Sequence, residues 1–453
     1  MGADELTTSS TNDTIIALSS GQGRSGVAVL RLSGSGSCDV LRFLSKQDPP
    51  KIRVAATRWL IDQNGDRFDE ALVFRFEAPN SFTGEDVVEI QCHGSPAVIS
   101  TIIELTIGSG LARLAEPGEF SRRAFENGKL DLLQAEGIAD LIESNSAAQM
   151  KQAAKFLAGD ASDVLISWRK TLLQASAFLA ASLDFSDEGD VSDDVHLPAQ
   201  NLIDDLITNF ETSLRDADRA SRVRDGLRIA ILGKPNAGKS TLINYLTSRE
   251  TAIVSEIPGT TRDIVESQIQ LAGVPVTLAD TAGLRETDDF VEAEGVRRAE
   301  SWAASADLII FLSRADDQSN IKRPDNLRDN DLWVVSQVDR MADGRAFNSD
   351  VDLQISVQSG DGLESLVKMM SERVRSMISL QEDPVIVRAR HKANLETALD
   401  ALKQARVQLS DFGDVDLAEF ELSVARSALD QILGRVEVED ILGEVFSGFC
   451  VGK

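Results

Sequence analysis

The residues most able to do chemistry form a glycine-rich loop near the middle of the chain. Residues 233–240 read GKPNAGKS, which matches the P-loop pattern G-x-x-x-x-G-K-[ST] between the strand-like LRIAIL and the helix-forming TLINYLTS. The glycines let backbone N–H groups face phosphate oxygens, the lysine reaches the β and γ oxygens, and Ser240 can ligate magnesium. The predicted nucleotide contacts here are Asn236, Ala237, Gly238, Lys239, Ser240 and Thr241.

Two later loops have the residue types that contact the γ-phosphate and its magnesium ion in GTPases. Residues 280–283 read DTAG after a strand-like stretch, where a carboxylate can join the magnesium shell and a glycine amide can sense the phosphate. Residues 255–263 read SEIPGTTRD, whose threonine hydroxyls, such as that of Thr261, can reach magnesium, although an ordinary Pro-Gly turn is the alternative for this segment alone. The predicted contacts are Ser255, Glu256, Ile257, Pro258, Gly259, Thr260, Thr261, Asp280, Thr281, Ala282 and Gly283.

Base specificity is expected from a segment that follows a later strand. Guanine-binding GTPases use Asn-Lys-x-Asp there, and this chain has SQVD at 336–339. Asp339 can accept hydrogen bonds from the guanine N1 and N2 donors, which adenine cannot offer. Ser336 and Gln337 stand where Asn and Lys are usual, so we expect GTP to be bound with weaker discrimination or affinity. A backbone amide in the segment around Ser356 can serve the guanine carbonyl.

These motifs leave open which group activates water. Ras-like GTPases place a glutamine after D-x-x-G to orient the attacking water, but this chain has Leu284 there. The sequence allows a carboxylate such as Glu286 or Glu292 to act on water, or a cation to replace an arginine finger. His93 and His391 lie in other segments, so a histidine base has no support.

The elements that must position these loops follow from the hydrophobic pattern. From residue 227 to about 378 strands alternate with helices, the rhythm of a parallel sheet. Helical periodicity occurs on both sides of this block, at about 122–182, 201–222, 392–433 and 438–446. We predict that the α/β block is inserted into a split helical domain, because each helical half alone would leave an apolar face in water. Strand-like stretches at 26–32, 71–76 and 86–91 indicate another α/β domain.

Composition limits the location and the partners. The chain has 453 residues and a formal net charge of −27, so its averaged field repels nucleic acid and anionic lipid. Cys38, Cys92 and Cys450 are too far apart to indicate a disulfide framework or a CxxC metal site. The acidic run at 184–194 favours a solvated loop over a metal site. The first residues lack a signal-peptide pattern and no apolar run is long enough for a membrane span, so we expect a cytoplasmic protein with no membrane partner.

The chain resembles the tRNA modification GTPase MnmE family, also called TrmE, over nearly its whole length. The most diagnostic motifs are DTIIALSSGQGRSGVAVLRLSG, PNSFTGEDVVEIQCHG, PGEFSRRAFENGKLDLLQAEGIADLI and the terminal FCVGK, joined by GKPNAGKSTLIN, PGTTRD and DTAGLRE. The resemblance implies a multidomain α/β and all-α fold. Its parts are an N-terminal α/β dimerisation and folate-binding domain at 1–121, a helical domain split between 122–222 and 379–453, and an inserted Ras-like P-loop G domain at 223–378.

The resemblance also implies a folate site. Carried onto matching positions, it assigns Arg31, Glu89, Lys129 and the terminal Lys453 to a one-carbon folate such as 5-formyl-tetrahydrofolate. Arginine and lysine suit the folate glutamate, and a carboxylate suits the donor groups of the pterin ring. Without the family, surface ion pairs would explain any one of these residues equally well. The N-terminal loop reads SSGQGR where the family more often has PPGRG.

The resemblance implies a potassium site, which would replace the arginine finger that this sequence lacks. The implied potassium ligands are Asn236, Ser255, Ile257 and Thr260. A potassium ion beside the phosphates can neutralise developing charge when two G domains meet. Glu292 falls where the family places the carboxylate that polarises water, and Cys450 is either a participant in chemistry or a buried inert thiol. The catalytic candidates are therefore Glu292, Arg262, Arg285 and Cys450.

The function implied is that of a homodimeric, potassium-stimulated GTPase that uses GTP, Mg²⁺, K⁺ and a one-carbon folate. With an FAD-dependent partner of the MnmG (GidA) type, in a heterotetramer, it would modify C5 of the wobble uridine, position 34, of certain tRNAs. Hydrolysis of GTP would drive closure of the G domains rather than supply the bond chemistry. Because the net charge is −27, we expect the partner to provide most of the affinity for tRNA.

Two other functions are compatible with the motifs. The first is a ribosome-assembly or regulatory GTPase switch, as in the Era and Der families, although the sequence shows no RNA-binding module with a basic surface. The second is a folate-dependent one-carbon transferase with a regulatory G domain. Co-sedimentation with ribosomes that depends on GTP would favour the first, and folate turnover by residues 1–120 without a partner would favour the second.

Overall fold

The computed structural model describes most of the chain in two compact units. The described residues are 13–184, 196–249, 266–280, 304–316, 323–324, 327–340, 351–379, 383–435, 439–449 and 451–452. The first unit comprises residues 1–139 with 430–453, and the second comprises residues 140–429.

The described strands form two six-stranded sheets. They are β1 (Ile15–Leu18), β2 (Ser25–Ser33), β3 (Ala56–Ile61), β4 (Arg67–Phe76), β5 (Val87–Gly94), β6 (Arg113–Leu114), β7 (Leu227–Gly233), β8 (Glu266–Leu271), β9 (Val274–Asp280), β10 (Leu308–Arg314), β11 (Leu332–Ser336) and β12 (Leu353–Gln354). The strand order is β3-β4-β5-β2-β1-β6 in the first sheet and β12-β11-β10-β7-β9-β8 in the second.

The described α-helices are numbered in chain order. They are α1 (Ser37–Ser45), α2 (Pro96–Gly108), α3 (Glu119–Glu126), α4 (Leu132–Glu143), α5 (Ala147–Ala158), α6 (Asp160–Asp184), α7 (Leu197–Asp225), α8 (Lys239–Arg249), α9 (Leu363–Ile378), α10 (Ala389–Val407), α11 (Val415–Leu433) and α12 (Glu439–Ser447). A π-helical turn, Gln408–Phe412, separates α10 from α11.

The first sheet buries one face and leaves the other partly open. Its strands pair antiparallel except β1 with β6, which run parallel. In β5, Val88, Ile90 and Cys92 are buried against α1 and α2, while Glu89 and Gln91 alternate onto the other face. The predicted strand stretches 26–32 and 71–76 are confirmed within β2 and β4, and the stretch 86–91 is confirmed in β5 except for Asp86, which precedes the strand. Glu89, a predicted folate ligand, therefore lies on the more open face.

The second sheet is parallel except for the edge strand β8, which pairs antiparallel with β9. Its central strands are almost wholly apolar, as in LRIAILG of β7, because both faces of such a sheet are covered. After β7 the chain first adds β8 and β9 on one side of it and then crosses to add β10 on the other side. Such switch points bind ligands at the carboxyl ends of strands. The P-loop follows β7, Asp280 ends β9 and Ser336 ends β11, all at that edge.

Helices from before and after the second sheet in sequence pack together. α7 and α10 run antiparallel, with Glu211 pairing with Lys403 at 2.8 Å and Asp204 with Arg406 at 3.4 Å. The fold class predicted from the sequence, α/β and helical parts in one multidomain chain, is confirmed, and the boundaries at 121, 222 and 378 stay predictions. The expectation of helix throughout 392–433 was wrong between Val407 and Val415, where the π-helical turn and a left-handed Gly413 (φ 65°) intervene.

Candidate functional site

The P-loop takes the backbone conformation that its glycines permit. Gly233 has φ 147°, and a Cβ there would lie 2.3 Å from the carbonyl oxygen of Leu312 on β10, so no side chain fits. Gly238 has φ 89°, and Asn236 is also left-handed at φ 60°. The loop therefore curls between the end of β7 and the start of α8, which directs backbone amides and a helix N-terminus to one place.

Lys239 is held over this loop by its own backbone. The side chain is largely buried, and its ammonium donates to the carbonyl oxygens of Gly233 at 2.9 Å and Lys234 at 3.1 Å. Ser240 and Thr241 follow at the exposed first turn of α8. A fixed cation, a helix N-terminus and an exposed hydroxyl together suit a phosphate chain with a bound magnesium ion.

Ser336 and Gln337 attach the SQVD segment to the P-loop. Ser336 Oγ lies 2.7 Å from the carbonyl oxygen of Ala237 and 3.2 Å from that of Ser313, and its single proton can go to either. Gln337 has φ 61° and its Nε2 donates to the carbonyl oxygen of Asn236 at 2.8 Å. The sequence interpretation missed these contacts, because it judged the two residues only against the nucleotide.

Asp339 is oriented by the loop that follows β12. Ser356 is fully buried, and its hydroxyl donates to Asp339 Oδ1 at 2.6 Å. The amide of Ser356 donates to the carbonyl oxygen of Asp361 at 3.0 Å, while its Oγ accepts from the amide of Ser359 at 3.1 Å. The predicted residues Ser336, Asp339 and Ser356 are therefore joined to one another or to the P-loop, and the carboxylate of Asp339 stays exposed beside them.

Several predicted site residues lie outside the described part of the chain. These are Ser255, Glu256, Ile257, Pro258, Gly259, Thr260, Thr261, Arg262, Thr281, Ala282, Gly283, Arg285, Glu292, Cys450 and Lys453, together with most of the acidic run at 184–194. Asp280 ends β9, where its backbone lies opposite Ile231 of β7. That register brings the start of DTAG beside the strand that leads into the P-loop.

A second group of predicted residues meets on the open face of the first sheet. Arg31 and Glu89 are direct cross-strand neighbours on β2 and β5, and the Arg31 guanidinium contacts Glu89 Oε1 at 2.9 Å. The same guanidinium lies 5.0 Å from the centre of the Phe82 ring and 5.8 Å from that of Phe120. A charge-assisted pair with two aromatic neighbours is therefore fixed at this position.

Lys129 reaches the same region from beyond α3. Its ammonium donates to the carbonyl oxygen of Pro79 at 3.0 Å. Glu89, Lys129 and Phe82 line one cavity of about 320 Å³, together with Arg53 and Phe76. The structure thus brings three of the four predicted folate residues together, because Arg31 is bonded to Glu89 at the wall of this cavity.

A partly buried ionic network anchors the helix that carries Phe120. Arg113 contacts Asp13 at 2.5 Å and Glu119 at 2.6 Å, and Arg123 contacts Glu119 at 2.8 Å. Burial raises the pKa of Glu119, but hydrogen bonds from Arg113, the Glu116 amide and Arg123 outweigh burial, so the pKa lies below its usual value. Glu119 therefore stays ionised at neutral pH and holds the start of α3 in place. Sequence reasoning did not find this network, since Asp13 lies about a hundred residues from Arg113, Glu119 and Arg123 in the chain.

The described residues contain neither a cluster of metal ligands nor a membrane-spanning helix. Within those ranges, no group of three or more His, Cys, Asp or Glu side chains is arranged to hold a metal ion. None of the helices described has the length and the apolar character needed to cross a bilayer.

A sheet of this strand order, with a P-loop after its central β7 and a braced Asp339 after β11, defines a P-loop GTPase, an enzyme class that hydrolyses GTP. Two family models match the chain: the GTP-binding protein TrmE N-terminus over residues 14–129 and the MnmE helical domain over residues 132–450. The chain belongs to the tRNA modification GTPase MnmE family.

Relatives of similar length support this assignment. The chain is 44% identical over 443 residues to the tRNA modification GTPase MnmE of Maricaulis maris, covering 98% of this chain and 100% of that one. It is 45% identical over 443 residues to the protein of the same name from Azorhizobium caulinodans, covering 98% and 99%. Among solved structures, a variant of Aquifex aeolicus Era bound to GDP and AlF4⁻ is 25% identical and covers 39% of this chain and 66% of its own, with a TM-score of 0.25.

Proposed function

We propose that this chain is the GTP-hydrolysing part of a two-protein enzyme that modifies C5 of the wobble uridine, position 34, in certain tRNAs. The observation that carries the proposal is the presence, in one chain, of a braced P-loop site and a separate cavity that combines Arg31, Glu89 and Lys129 with aromatic rings. A GTPase switch alone has no use for such a cavity. The names of the relatives, which place them in tRNA modification, support the same proposal.

The P-loop residues have distinct tasks in nucleotide binding. The Lys239 ammonium, already turned toward the loop, neutralises phosphate charge, and Ser240 with Thr261 would hold Mg²⁺. Asp339, oriented by Ser356, accepts from the N1 and N2 donors of guanine. Because the Ser356 amide is already bonded to Asp361, the amide that serves the guanine carbonyl would be that of Val357. GTP supplies the phosphoanhydride whose cleavage rearranges the two switch segments.

The cavity of the first unit fits a reduced folate. Its 320 Å³ suit the pterin part of the molecule rather than the whole of it, so the glutamate would lie outside the cavity. Both Arg31 contacts are made with Oε1 of Glu89, which leaves Oε2 as the acceptor for pterin N–H groups. A bound one-carbon folate supplies the carbon unit that reaches uridine C5, and Lys453 would complete the site.

Loss of the Lys129 ammonium should weaken folate binding without unfolding the domain. The Lys129 side chain makes one hydrogen bond among the contacts described, to the carbonyl oxygen of Pro79, so the Lys129→Ala variant should keep its thermal midpoint. We expect the Kd for 5-formyl-tetrahydrofolate to rise by about 10-fold, the worth of one charge-assisted hydrogen bond. Isothermal titration calorimetry measures this change.

The matched control for that variant is Lys51→Ala. Lys51 is exposed in the same unit and does not line the cavity, so its removal should leave the Kd unchanged. Equal affinity of the Lys129→Ala variant and the wild type would contradict the assignment of the cavity.

The chemistry at uridine requires a second protein. The net charge of −27 argues against a strong tRNA-binding surface on this chain, so an FAD-dependent partner of the MnmG type would hold the tRNA. We propose a homodimer that assembles with that partner into a cytoplasmic heterotetramer, and whose GTPase activity is stimulated by potassium. The same charge disfavours the ribosomal RNA-binding alternative.

Deletion of the gene tests the proposal directly. Nucleosides from total tRNA of the deletion strain should lack the C5 modification at position 34, as read by liquid chromatography with mass spectrometry. Re-expression of the wild-type chain should restore the modification, whereas a Lys239→Ala chain should not. Unchanged wobble uridines in the deletion strain would reject the proposed function.

A further inference from the structure

Two exposed phenylalanines mark a surface at the junction of α10 and α11. Phe412 has 72% and Phe420 60% of its surface accessible, the highest fractions among large apolar side chains in the part of the chain that the structure describes. Leu417, 48% accessible, lies one turn before Phe420 on α11. We call these three side chains the Phe412 patch. Monomeric proteins rarely expose large contiguous apolar surface, so these three exposed side chains, close together in sequence, mark a candidate interaction surface.

The backbone that presents the patch is ordered by specific hydrogen bonds. The amide of Asp414 donates to the carbonyl oxygen of Gln408 at 3.0 Å, and Asp414 Oδ1 accepts from the amide of Leu417 at 3.0 Å, which caps α11. Leu409 and Val415 on the same turn are buried. The turn therefore puts its aliphatic residues inside and its phenylalanine outside, in a π-helical geometry that is frequent at functional sites.

The charged residues closest to the patch in sequence are acidic, and the nearest basic ones, Arg406 and Arg426, lie outside residues 408–425. Between residues 408 and 425 the acidic residues are Asp411, Asp414, Asp416, Glu419 and Glu421, and this stretch has no lysine, arginine or histidine. Glu419 Oε2 is withdrawn from solvent and has no hydrogen-bond partner among the described residues. An arriving cation would offset the cost of that carboxylate oxygen. An acidic rim also repels tRNA, anionic lipid and a second copy of this acidic chain.

The occupant that fits is therefore a protein with an apolar pocket and a basic rim. This step rests on the proposed function, which requires such a protein. In that function the flavoprotein, rather than this acidic chain, binds the tRNA, so the flavoprotein must have a basic surface. We infer that the Phe412 patch is the docking surface for that basic, tRNA-binding flavoprotein. The apolar centre and charged rim match the usual anatomy of a specific interface, in which aromatic residues contribute most of the affinity.

The Phe412 patch and the sheet that bears the P-loop lie near opposite ends of α7. The Glu211–Lys403 and Asp204–Arg406 pairs show that α10 runs toward the amino end of α7 as it approaches Phe412. The sheet that bears the P-loop begins at the other end of α7, which has 29 residues and is therefore about 40 Å long. A substitution in the patch should then leave the intrinsic GTPase rate unchanged.

The test is a binding measurement between purified full-length proteins. The MnmG-type flavoprotein of the same organism is immobilised, and this chain is passed over it as wild type, as Phe412→Ala/Phe420→Ala, and as Ile166→Ala. Ile166 is an exposed apolar residue on α6, outside the patch, and serves as the control. We expect the double variant to lose affinity by about 30-fold or more, since two truncated hot-spot residues are removed. The control should bind as the wild type does, with equal thermal midpoints and GTPase rates.

A second variant tests whether the acidic residues near the Phe412 patch contribute to binding. An Asp416→Lys/Glu419→Lys variant should bind the flavoprotein more weakly and with a smaller dependence on salt. Wild-type affinity of the phenylalanine double variant would overturn the docking surface while leaving the proposed function intact, since the partner would still bind. The docking surface would also be overturned if the phenylalanine double variant kept its affinity for the flavoprotein but lost tRNA binding, vesicle binding or self-association. A wild-type chain that does not bind the flavoprotein, together with unchanged wobble uridines in the deletion strain, would remove the proposed function itself.

Discussion

Replacement of Lys239 by alanine is expected to abolish GTP hydrolysis. The Lys239 ammonium is held at the P-loop by direct hydrogen bonds to two loop carbonyl oxygens, those of Gly233 and Lys234. Its removal takes away the charge that stabilises the β and γ oxygens as the bond breaks. We expect the rate of phosphate release under saturating GTP to fall by at least ~100-fold, the usual cost of losing one electrostatic contact in a closed site.

The substitution also removes two hydrogen bonds that hold the loop, so folding must be checked separately. The Lys368→Ala variant is the control, because Lys368 is an exposed lysine on α9 of the same unit. It should hydrolyse GTP at the wild-type rate. Hydrolysis within a factor of three of wild type by a folded Lys239→Ala protein would contradict the P-loop assignment.

The GTPase part of the fold could be predicted from sequence because its signals are local. β7 is a continuous apolar run that ends at the first glycine of the P-loop, and the following residues begin a helix, so pattern and motif agree. The left-handed Gly233 and Gly238 are required by the same motif that identifies them. Local sequence and final structure therefore coincide at this site.

Other elements depend on distant partners and had no such signal. β6 is two residues long and exists through its pairing with β1, about a hundred residues earlier in the chain. β3 reads ATRWLI, whose alternation is broken, and it is defined by antiparallel pairing with β4. The interruption after Val407 leaves one visible mark, Gly413, which a helical pattern can also tolerate.

Ser336 and Gln337 depart from the Asn-Lys-x-Asp motif but still have a structural role at the nucleotide site. From sequence, both residues weaken the contact with the base. In the structure both reach carbonyl oxygens of the P-loop, Ala237 and Asn236, and so join the base-recognition segment to the phosphate-binding segment. A motif describes what a residue does to the ligand, whereas this contact is between two parts of the protein, so only the folded chain could reveal it.

The hydrogen bond from Gln337 fixes the backbone position of Asn236. Substitution of the Asn236 side chain therefore tests the hypothesis that a potassium ion binds beside the phosphates. Asn236 is exposed and left-handed, and its carbonyl oxygen is already engaged by Gln337. Glycine adopts φ 60° without strain and keeps that carbonyl, so Asn236→Gly removes the side-chain oxygen and little else. Aspartate also tolerates this conformation and keeps an oxygen.

We therefore expect the wild type to hydrolyse GTP much faster in potassium than in sodium at equal ionic strength, and Asn236→Gly to lose that difference. The lost acceleration should be on the order of 100-fold, below the full worth of an arginine finger because several ligands share the ion. Asn236→Asp should retain the potassium response, and GDP affinity should be similar in all three proteins. Equal rates in the two salts for the wild type, or an unchanged ratio for Asn236→Gly, would show that charge at the leaving phosphate is neutralised by a protein group rather than by a cation at the P-loop.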